Sequence, residues 1–371
     1  MPTKRRYAKL ISSDSHVTEP ADLWQKAIGD RYGDRTPRMV GEREGRKGKY
    51  FDVGGGLLVV MEKIIAEAEK NRPGTRDAGT DPNVRLQFQR DAGLDAEIIN
   101  PTTMGCIMQS PDLEIRNACA AVYNDYMADY CAPDPNRLIG IAVVPTHDVD
   151  WAVGELQRVR KLGFRGAMIN TVPPVGCPPF RDKSYDRLWA AVEELEMPLT
   201  MHILTGRVLD PISYAETDDE YAEAPGKFLE AYDEIRHVLA NDFIFGQIFD
   251  RFPKLKLTTG EFELGWVLPF VNRIDQMQSD FSDVIKMPTL QHRASDYMRI
   301  HVWHGMIDDD ARDIIIPIVG VNRVTWGSDF PHIRSIGLDA HERTAEMFGS
   351  QSAPDQARIV GDNVAELYQL G

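Results

Sequence analysis

Short apolar runs alternate with amphipathic stretches along most of this chain of 371 residues. The apolar runs predict strands, and the stretches between them repeat their apolar positions at helical spacing. The predicted strands cover residues 7–13, 96–100, 138–144, 166–170, 198–203, 255–259, 298–303 and 324–326. Strands that alternate with helices predict a parallel sheet, and eight such units favour an α/β fold of the (β/α)8 TIM barrel type.

The predicted helices cover residues 83–93, 113–131, 149–162, 185–196, 227–251, 265–281, 309–319, 340–348 and 353–368. An insertion at about residues 30–80, rich in Gly, Arg and Glu, follows the first strand. We interpret its GGG at 54–56 as a turn and expect a short helix around 61–70. An acidic loop at about 205–225 is interpreted as solvated, with a lid over the barrel mouth as the alternative. We expect one barrel over residues 1–371, closed by C-terminal helices.

Composition narrows the class of protein further. Hydrophobic residues make up 43% of the chain, charged residues 27%, and the formal charge is −15. These values fit a soluble globular protein and argue against a nucleic-acid binder, which usually carries a basic surface. The chain has no apolar run of about 18 residues, and its N-terminus lacks the apolar core of a signal peptide. Four cysteines without a C-x-x-C pair fit a reducing compartment, so we expect a cytoplasmic protein.

Imidazoles and carboxylates follow several of the predicted strands, where a (β/α)8 barrel has its active site. Asp14 and His16 follow the first strand, the fifth strand ends at His202, and Asp329 follows the eighth strand. Residues two apart in an extended strand point the same way, so Asp14 and His16 can hold one ion. Taken singly, Asp14 could instead cap a turn, and His202 could be an ordinary core histidine. Together they predict a divalent metal site, with zinc first and manganese or iron as alternatives.

Further candidates lie near the same strand ends. Glu261 follows the sixth strand, where burial would raise its pKa and allow it to act as a general base. His304 follows the seventh strand and is a second catalytic candidate, with a plain loop histidine as the alternative. Arg273 is a candidate for orienting a substrate carboxylate. Trp303 is a candidate for substrate contact, with packing as the alternative.

Five motifs carry a family resemblance, and they occur in the order DSHVTEP, MHI, RFPKLKLTTGEFELGWV, RVTWGSDFPH and GDNVAELYQL. This set resembles the amidohydrolase superfamily, and within it the group that includes aminocarboxymuconate-semialdehyde and γ-resorcylate decarboxylases. The resemblance extends from about residue 10 to the C-terminus. It implies a metal-dependent distorted barrel with metal ligands at Asp14, His16, His202 and Asp329. Two positions depart from the pattern, because Asp14 and Glu261 stand where relatives commonly have histidine.

Three functional hypotheses follow. The first is a metal-dependent hydrolase or non-oxidative decarboxylase of a small carboxylic acid, aromatic acids included, in which Glu261 moves a proton. The second is a dinuclear iron or manganese oxygenase on the same barrel, to which Glu19, Glu261, His304 and His332 would add ligands. The third is a non-catalytic barrel subunit of a hetero-oligomer, since the usual strand-six histidine is absent. For the enzyme we expect a small-molecule substrate and a homo-oligomer.

Overall fold

A computed structural model describes residues 5–43, 46–53, 58–59, 69–70, 75–206, 224–281, 283–332 and 334–371. The strands are β1 Ile11–His16, β2 Arg38–Arg43, β3 Arg46–Asp52, β4 Leu58–Val59, β5 Ala96–Asn100, β6 Leu138–Gly140, β7 Ala142–Val143, β8 Ala167–Ile169, β9 Leu199–His202, β10 Leu257–Gly260, β11 Val302–Met306 and β12 Val324–Trp326.

The α-helices are α1 Leu23–Tyr32, α2 Thr75–Thr80, α3 Pro82–Ala92, α4 Thr103–Ile107, α5 Leu113–Cys131, α6 Val149–Lys161, α7 Asp186–Leu195, α8 Ala224–Val238, α9 Ile248–Arg251, α10 Val267–Asp280, α11 Asp296–Ile300, α12 Arg312–Val319, α13 Ala340–Met347, α14 Ala353–Ala357 and α15 Asn363–Leu367. Two π-helical segments, Leu239–Ile244 and Arg358–Asp362, follow α8 and α14.

Parallel strands form the wall of a barrel. Their order is β1-β5-β6 and then β7-β8-β9-β10-β11-β12, where β6 and β7 are two parts of one strand interrupted at Ile141. The chain after β12 returns to β1 through backbone hydrogen bonds. The amide of His16 donates to the carbonyl of Phe330 at 2.7 Å, and that of Asp329 donates to the carbonyl of Asp14 at 2.9 Å. These bonds join the last strand to the first, as the predicted (β/α)8 barrel requires.

Aspartate caps set the start of several helices between the strands. The side chain of Asp81 accepts hydrogen bonds from the first turn of α3, where Pro82 occupies the first helical position. Asp112 accepts from the amide of Ile115 at 3.2 Å, and Asp148 accepts from the amide of Trp151 at 3.0 Å. The helices α5 and α6 therefore begin where the sequence pattern predicts.

Several element boundaries differ from the predictions. The first strand runs over Ile11–His16, so Asp14 and His16 lie within its C-terminal end. Residues 298–303 are not one strand, because Asp296–Ile300 are helical and β11 spans Val302–Met306. Every residue of β11 is buried, so its apolar positions lack the alternation that would mark its ends. The helix predicted for 227–251 is broken at Gly246, where a Cβ would overlap the carbonyl oxygen of Asp242.

The insertion contains an antiparallel sheet, β2-β3-β4, that the sequence pattern did not predict. The strands β2 and β3 pair from Arg38–Asp52 to Arg43–Arg46. The predicted turn at 54–56 and residues 61–68 of the predicted helix lie outside the described residues, as do residues 207–223 of the acidic loop. Among the helices of the described residues, none is long and apolar enough to cross a membrane.

Candidate metal centre

Side chains from separate strand ends meet at the C-terminal mouth of the barrel. The Nε2 atom of His16 lies 3.5 Å from Oδ1 of Asp14 and 3.6 Å from Oδ1 of Asp329. The Nε2 atom of His202 lies 3.6 Å from Oδ2 of Asp14. All four side chains are buried. The structure therefore brings together the four residues for which the sequence predicts metal binding.

Glu261 and His332 extend this cluster. The Oε1 atom of Glu261 lies 2.9 Å from Nε2 of His16 and 3.3 Å from Nε2 of His202. The ring of His332 stacks on that of His16 with centroids 4.0 Å apart. Potential ligand atoms lie within 4.8 Å of one another in two overlapping groups, namely Asp14, His16, His202 and Glu261, and His16, Glu261, Asp329 and His332. We call these six residues the mouth cluster.

The second ring nitrogen of each histidine is held in place from outside the cluster. The Nδ1 atom of His16 lies 2.9 Å from the carbonyl oxygen of Pro101. The Nδ1 atom of His202 lies 3.0 Å from the carbonyl oxygen of the next residue, Ile203. A carbonyl only accepts, so both Nδ1 atoms carry hydrogen and both Nε2 atoms face the cluster, where a bound cation would take up their lone pairs. The buried Nε2 of His202 has no aligned hydrogen-bond partner among the described residues. A metal cation would supply the partner that this nitrogen lacks.

Asn100 is a site residue that the sequence analysis missed. It ends β5, is 1% exposed, and donates from Nδ2 to Oδ1 of Asp14 at 2.7 Å. This hydrogen bond fixes the orientation of the Asp14 carboxylate toward the two histidines. The available signal was a polar residue at the C-terminal end of an apolar strand, the same signal that identified His202.

The backbone at the cluster is strained. Glu261, Glu263 and Asp329 have φ angles of 59°, 56° and 53°, in the left-handed region that non-glycine residues rarely adopt. Each such residue costs about 1–3 kcal/mol and persists only where its surroundings hold it. Two of the three are members of the mouth cluster. Strain of this kind concentrates at functional sites, which supports a functional role for this mouth.

The charges of the cluster are strongly coupled. Burial alone would raise the pKa of Glu261, but the neighbouring His202, His16 and His332 hold it well below its usual range. This direction is opposite to the one that the sequence analysis expected for a general base. Burial and the negative charge of Glu261 raise the pKa of Asp329 to about 8. Burial opposes protonation of His332, but Asp329 and Glu261 raise the pKa of its ring to about 10. Three carboxylates this close need positive charge between them, from protons or from a metal ion.

His304 lies apart from the mouth cluster. It lies inside β11, is fully buried, and is absent from both groups of potential ligand atoms in the described residues. Its ring lies 6.2 Å from the ring of Trp266, and burial lowers its pKa to about 4. The predicted strand ended at 303, whereas β11 continues to Met306, so His304 belongs to the barrel wall and not to a loop after it.

Three other candidates, Arg273, Trp303 and Glu19, make their contacts away from the mouth cluster. Arg273 is exposed on α10 and donates to Gln276 of the same helix at 2.8 Å. Trp303 is 8% exposed, and the guanidinium of Arg323 lies 4.2 Å above its ring. The carboxylate of Glu19 accepts hydrogen bonds from the amides that begin α4, at 2.9 and 3.0 Å, so it caps that helix. The structure therefore joins none of these three side chains to the mouth cluster.

Comparison with known proteins identifies the family. A family model described as Amidohydrolase matches residues 60–370. The chain belongs to this amidohydrolase family. A curated relative, γ-resorcylate decarboxylase of Rhodococcus jostii (strain RHA1), is 26% identical over 304 residues, which cover 78% of this chain and 87% of the relative.

Solved structures agree with this fold. An amidohydrolase of Mycobacterium avium subsp. paratuberculosis matches with a TM-score of 0.77 and 18% identity, covering 98% of this amidohydrolase and 99% of that chain. A second match is the 5-carboxyvanillate decarboxylase of Novosphingobium aromaticivorans, solved with manganese and 4-hydroxy-3-methoxy-5-nitrobenzoic acid. Its TM-score is 0.70 and its identity 21%, and the match covers 98% of this chain and 96% of that chain.

These comparisons decide several of the predictions. The predicted family and barrel are confirmed, and so is the predicted class of metal-dependent hydrolase or carboxy-lyase. The relatives named above give no support to the oxygenase alternative. A divalent metal is supported by the mouth cluster and by the manganese in the Novosphingobium structure, and neither observation supports zinc as the preferred ion.

Proposed function

We propose that this chain is a metal-dependent, non-oxidative decarboxylase of a small aromatic carboxylic acid. The observation that carries the proposal is the mouth cluster, in which three carboxylates and three imidazoles converge at the C-terminal end of the barrel. Relatives named for decarboxylation of γ-resorcylate and 5-carboxyvanillate support the substrate class. Both names denote hydroxylated benzoic acids.

The donor set fits a divalent cation. Asp14, His16, His202 and Asp329 would hold it, and Glu261 is the nearest further oxygen ligand. The Nε2 of His202, which lacks an aligned hydrogen bond, and the crowded carboxylates are the features that a cation would satisfy. Carboxylate oxygens suit manganese, and the Novosphingobium structure contains manganese, so we place manganese first and zinc, the first expectation from the sequence, second. When bound, the metal would polarise an oxygen of the substrate and offset its negative charge.

Decarboxylation requires a proton donor. The bond between the ring carbon and the carboxylate breaks, CO2 leaves, and the ring carbon keeps the electron pair and takes up one proton. His332 is the best-placed donor, because its ring stacks on that of His16 at the edge of the cluster, and Asp329 and Glu261 raise the pKa of the ring against the effect of burial. Its side chain is 24% exposed, so the ring borders both the cluster and the solvent. We infer that His332 gives this proton and recovers it from solvent.

His332 can take the place of the histidine that Glu261 replaces after the sixth strand. The resemblance implies that relatives commonly have a histidine there, whereas this chain has Glu261, whose pKa is lowered. The Nδ1 atom of His332 lies 2.8 Å from Oδ1 of Asp329 and 3.7 Å from Oε1 of Glu261. Its Nε2 lies 3.2 Å from the hydroxyl of Thr102. His332 is therefore fixed from both sides within the region where the missing imidazole would act.

The test is a substrate panel under anaerobic conditions. Protein loaded with Mn2+ is incubated with 2,6-dihydroxybenzoate, 5-carboxyvanillate and related hydroxybenzoates, and both CO2 and the decarboxylated ring are quantified. We expect equal amounts of the two products from at least one acid, and loss of the reaction with a chelator. Turnover of esters or lactones without CO2 would instead establish a hydrolase. Turnover that requires O2 would contradict the proposal.

The role of His332 has its own test. General acids typically contribute a factor of about 10²–10⁴ in rate, so His332→Gln should lower kcat by that order. Its Mn2+ content should stay at the wild-type level. Thr102→Val removes one hydrogen bond to the same ring and should lower kcat by a smaller factor. If His332→Gln loses the metal instead, His332 is a ligand and another group donates the proton.

A further inference from the structure

A buried ion pair lies behind the mouth cluster, between α3 and β5. Arg85 and Glu97 are both fully buried, and the pair is bidentate, with Nε to Oε2 at 2.6 Å and Nη2 to Oε1 at 3.0 Å. The side-chain Nε2 of Gln89 donates to the same carboxylate at 2.8 Å. The negative charge of Glu97 is thus fully matched within the pair. Neither residue belongs to the groups of potential metal ligands in the described residues.

The remaining donors of Arg85 reach two backbone carbonyls. Nη1 donates to the carbonyl of His16 at 3.0 Å, and Nη2 donates to the carbonyl of Phe330 at 3.4 Å. His16 is a proposed metal ligand, and Phe330 directly follows the proposed ligand Asp329. The Phe330 carbonyl also accepts the amide of His16 at 2.7 Å. Arg85 therefore bonds both sides of the junction where the last strand meets the first.

The side chain of Phe330 is fixed by the same helix. The guanidinium of Arg85 lies 4.6 Å above its ring, and the ring of Phe88 stacks on it with centroids 4.0 Å apart. These contacts anchor Phe330, the residue after Asp329. Asp329 itself has a φ of 53°, which is unfavourable for an aspartate. The strained backbone that presents Asp329 is thus held from the side opposite the cluster.

Stability alone does not explain such a pair. Replacing a buried ion pair by apolar residues of similar volume is often neutral or stabilising. Arginine differs from an apolar residue, and from lysine, in offering five donors in a rigid planar arrangement. Arg85 uses that arrangement to bind one carboxylate and two carbonyls at once.

We propose that Arg85 is a positioning residue of the metal centre. Through Glu97 and the carbonyls of His16 and Phe330, it sets the spacing at which Asp14, His16 and Asp329 share one cation. The proposal rests on the metal centre of the proposed function but not on the reaction. Mn2+ binding without substrate therefore tests it.

The experiment measures the Kd for Mn2+ by titration calorimetry on metal-free protein. Losing a residue that orients metal ligands commonly costs about 10–100-fold in affinity, and we expect Arg85→Met to raise the Kd by that factor. Arg85→Lys keeps the charge without the planar donors, so it should leave the Kd raised by about 10-fold. If Arg85→Met does not fold, Glu97→Gln replaces it, with the same expected direction.

Asn363→Leu is the matched control. The Asn363 side chain is 1% exposed and, like Arg85, joins two carbonyls, those of Val321 and Val324, both at 2.8 Å. These carbonyls lie at the opposite end of β12 from Asp329. We expect this variant to lower Tm while changing the Kd by less than about 3-fold, well below the effect of a positioning residue.

Three results would overturn the proposal. These are a wild-type Kd in folded Arg85→Met, full recovery in Arg85→Lys, and an equal rise of the Kd in Asn363→Leu. The second would show that charge alone suffices, and the third that any loosening of the barrel weakens the metal. A wild-type chain that binds no Mn2+ would overturn the metal centre itself, and with it the proposed function.

Discussion

Gly260 allows His202 to lie in the mouth cluster, so one added methyl group tests that histidine directly. A Cβ on Gly260 would lie 2.5 Å from Cδ2 of His202, 3.2 Å from Cγ and 3.3 Å from Nε2. Ordinary contacts to a Cβ begin at 3.4 Å, so Gly260→Ala requires the ring to move by about 0.9 Å. Gly260 lies in β10 and its φ is not in the left-handed region, so alanine meets no backbone strain there.

That displacement is large for a metal ligand. Ligand distances in metal sites hold to about 0.2 Å, so a ring moved by several times that amount no longer coordinates. We expect the Kd for Mn2+ to rise by at least about 100-fold, which corresponds to about 2.7 kcal/mol. Overpacking of this kind costs about 1–3 kcal/mol of folding stability, less than a typical domain possesses.

The assay is calorimetric titration of metal-free Gly260→Ala with Mn2+, with near-UV circular dichroism to verify the fold. Gly105→Ala is the matched control, because Gly105 is also buried and its nearest neighbour, Cγ2 of Thr205, would lie at 4.0 Å. We expect the control to bind Mn2+ like the wild type. Wild-type affinity in folded Gly260→Ala would show that His202 is not a ligand.

Three further predictions concern stability and hydration. Mn2+ at about 100 times its Kd should stabilise the protein by about 2.7 kcal/mol, which is about 3 °C in Tm for a chain of this length, and His202→Ala should abolish the shift in a thermal scan. The folded-state pKa of His304 is about 4 and its unfolded value 6.5, so stability should fall by about 3 kcal/mol as the pH drops through this interval. The free energy of unfolding of His304→Leu, measured with denaturant, should lack that loss. If it depends on pH as steeply as in the wild type, His304 is not the group responsible. A cavity of about 10 Å³ beside Asp14 should hold one ordered water in a high-resolution crystal structure, since its lining oxygens in Ser13, Asn100 and Thr259 lack partners among the described residues.

The metal-binding candidates could be predicted because their signals are local. Asp14 and His16 are two residues apart at a strand end, and His202 and Asp329 follow apolar runs that predict strands. The alternation of strands and helices fixes their arrangement, since parallel barrel strands place all C-terminal ends on one face. The barrel and the convergence of these four residues therefore followed from the sequence.

Other features depend on contacts between distant residues. The lowered pKa of Glu261 arises from two histidines on other strands and one in the turn after β12, which sequence position alone does not place beside it. His304 was misplaced because β11 is buried throughout and shows no alternation that marks its end. Asn100 and Arg85 carry no motif, and their roles follow only from the neighbours that the fold gives them. The insertion sheet was missed because β2 and β3 are rich in glycine and charged residues.

The most direct test of the central claim is to locate the metal. Crystals grown with Mn2+ should be measured near the manganese absorption edge, where the anomalous difference map marks the ion independently of the protein atoms. We predict a peak bonded to Asp14, His16, His202 and Asp329, with Glu261 at its edge. A mouth cluster without a peak, or a peak held by other residues, would contradict the assignment of this mouth as a metal centre.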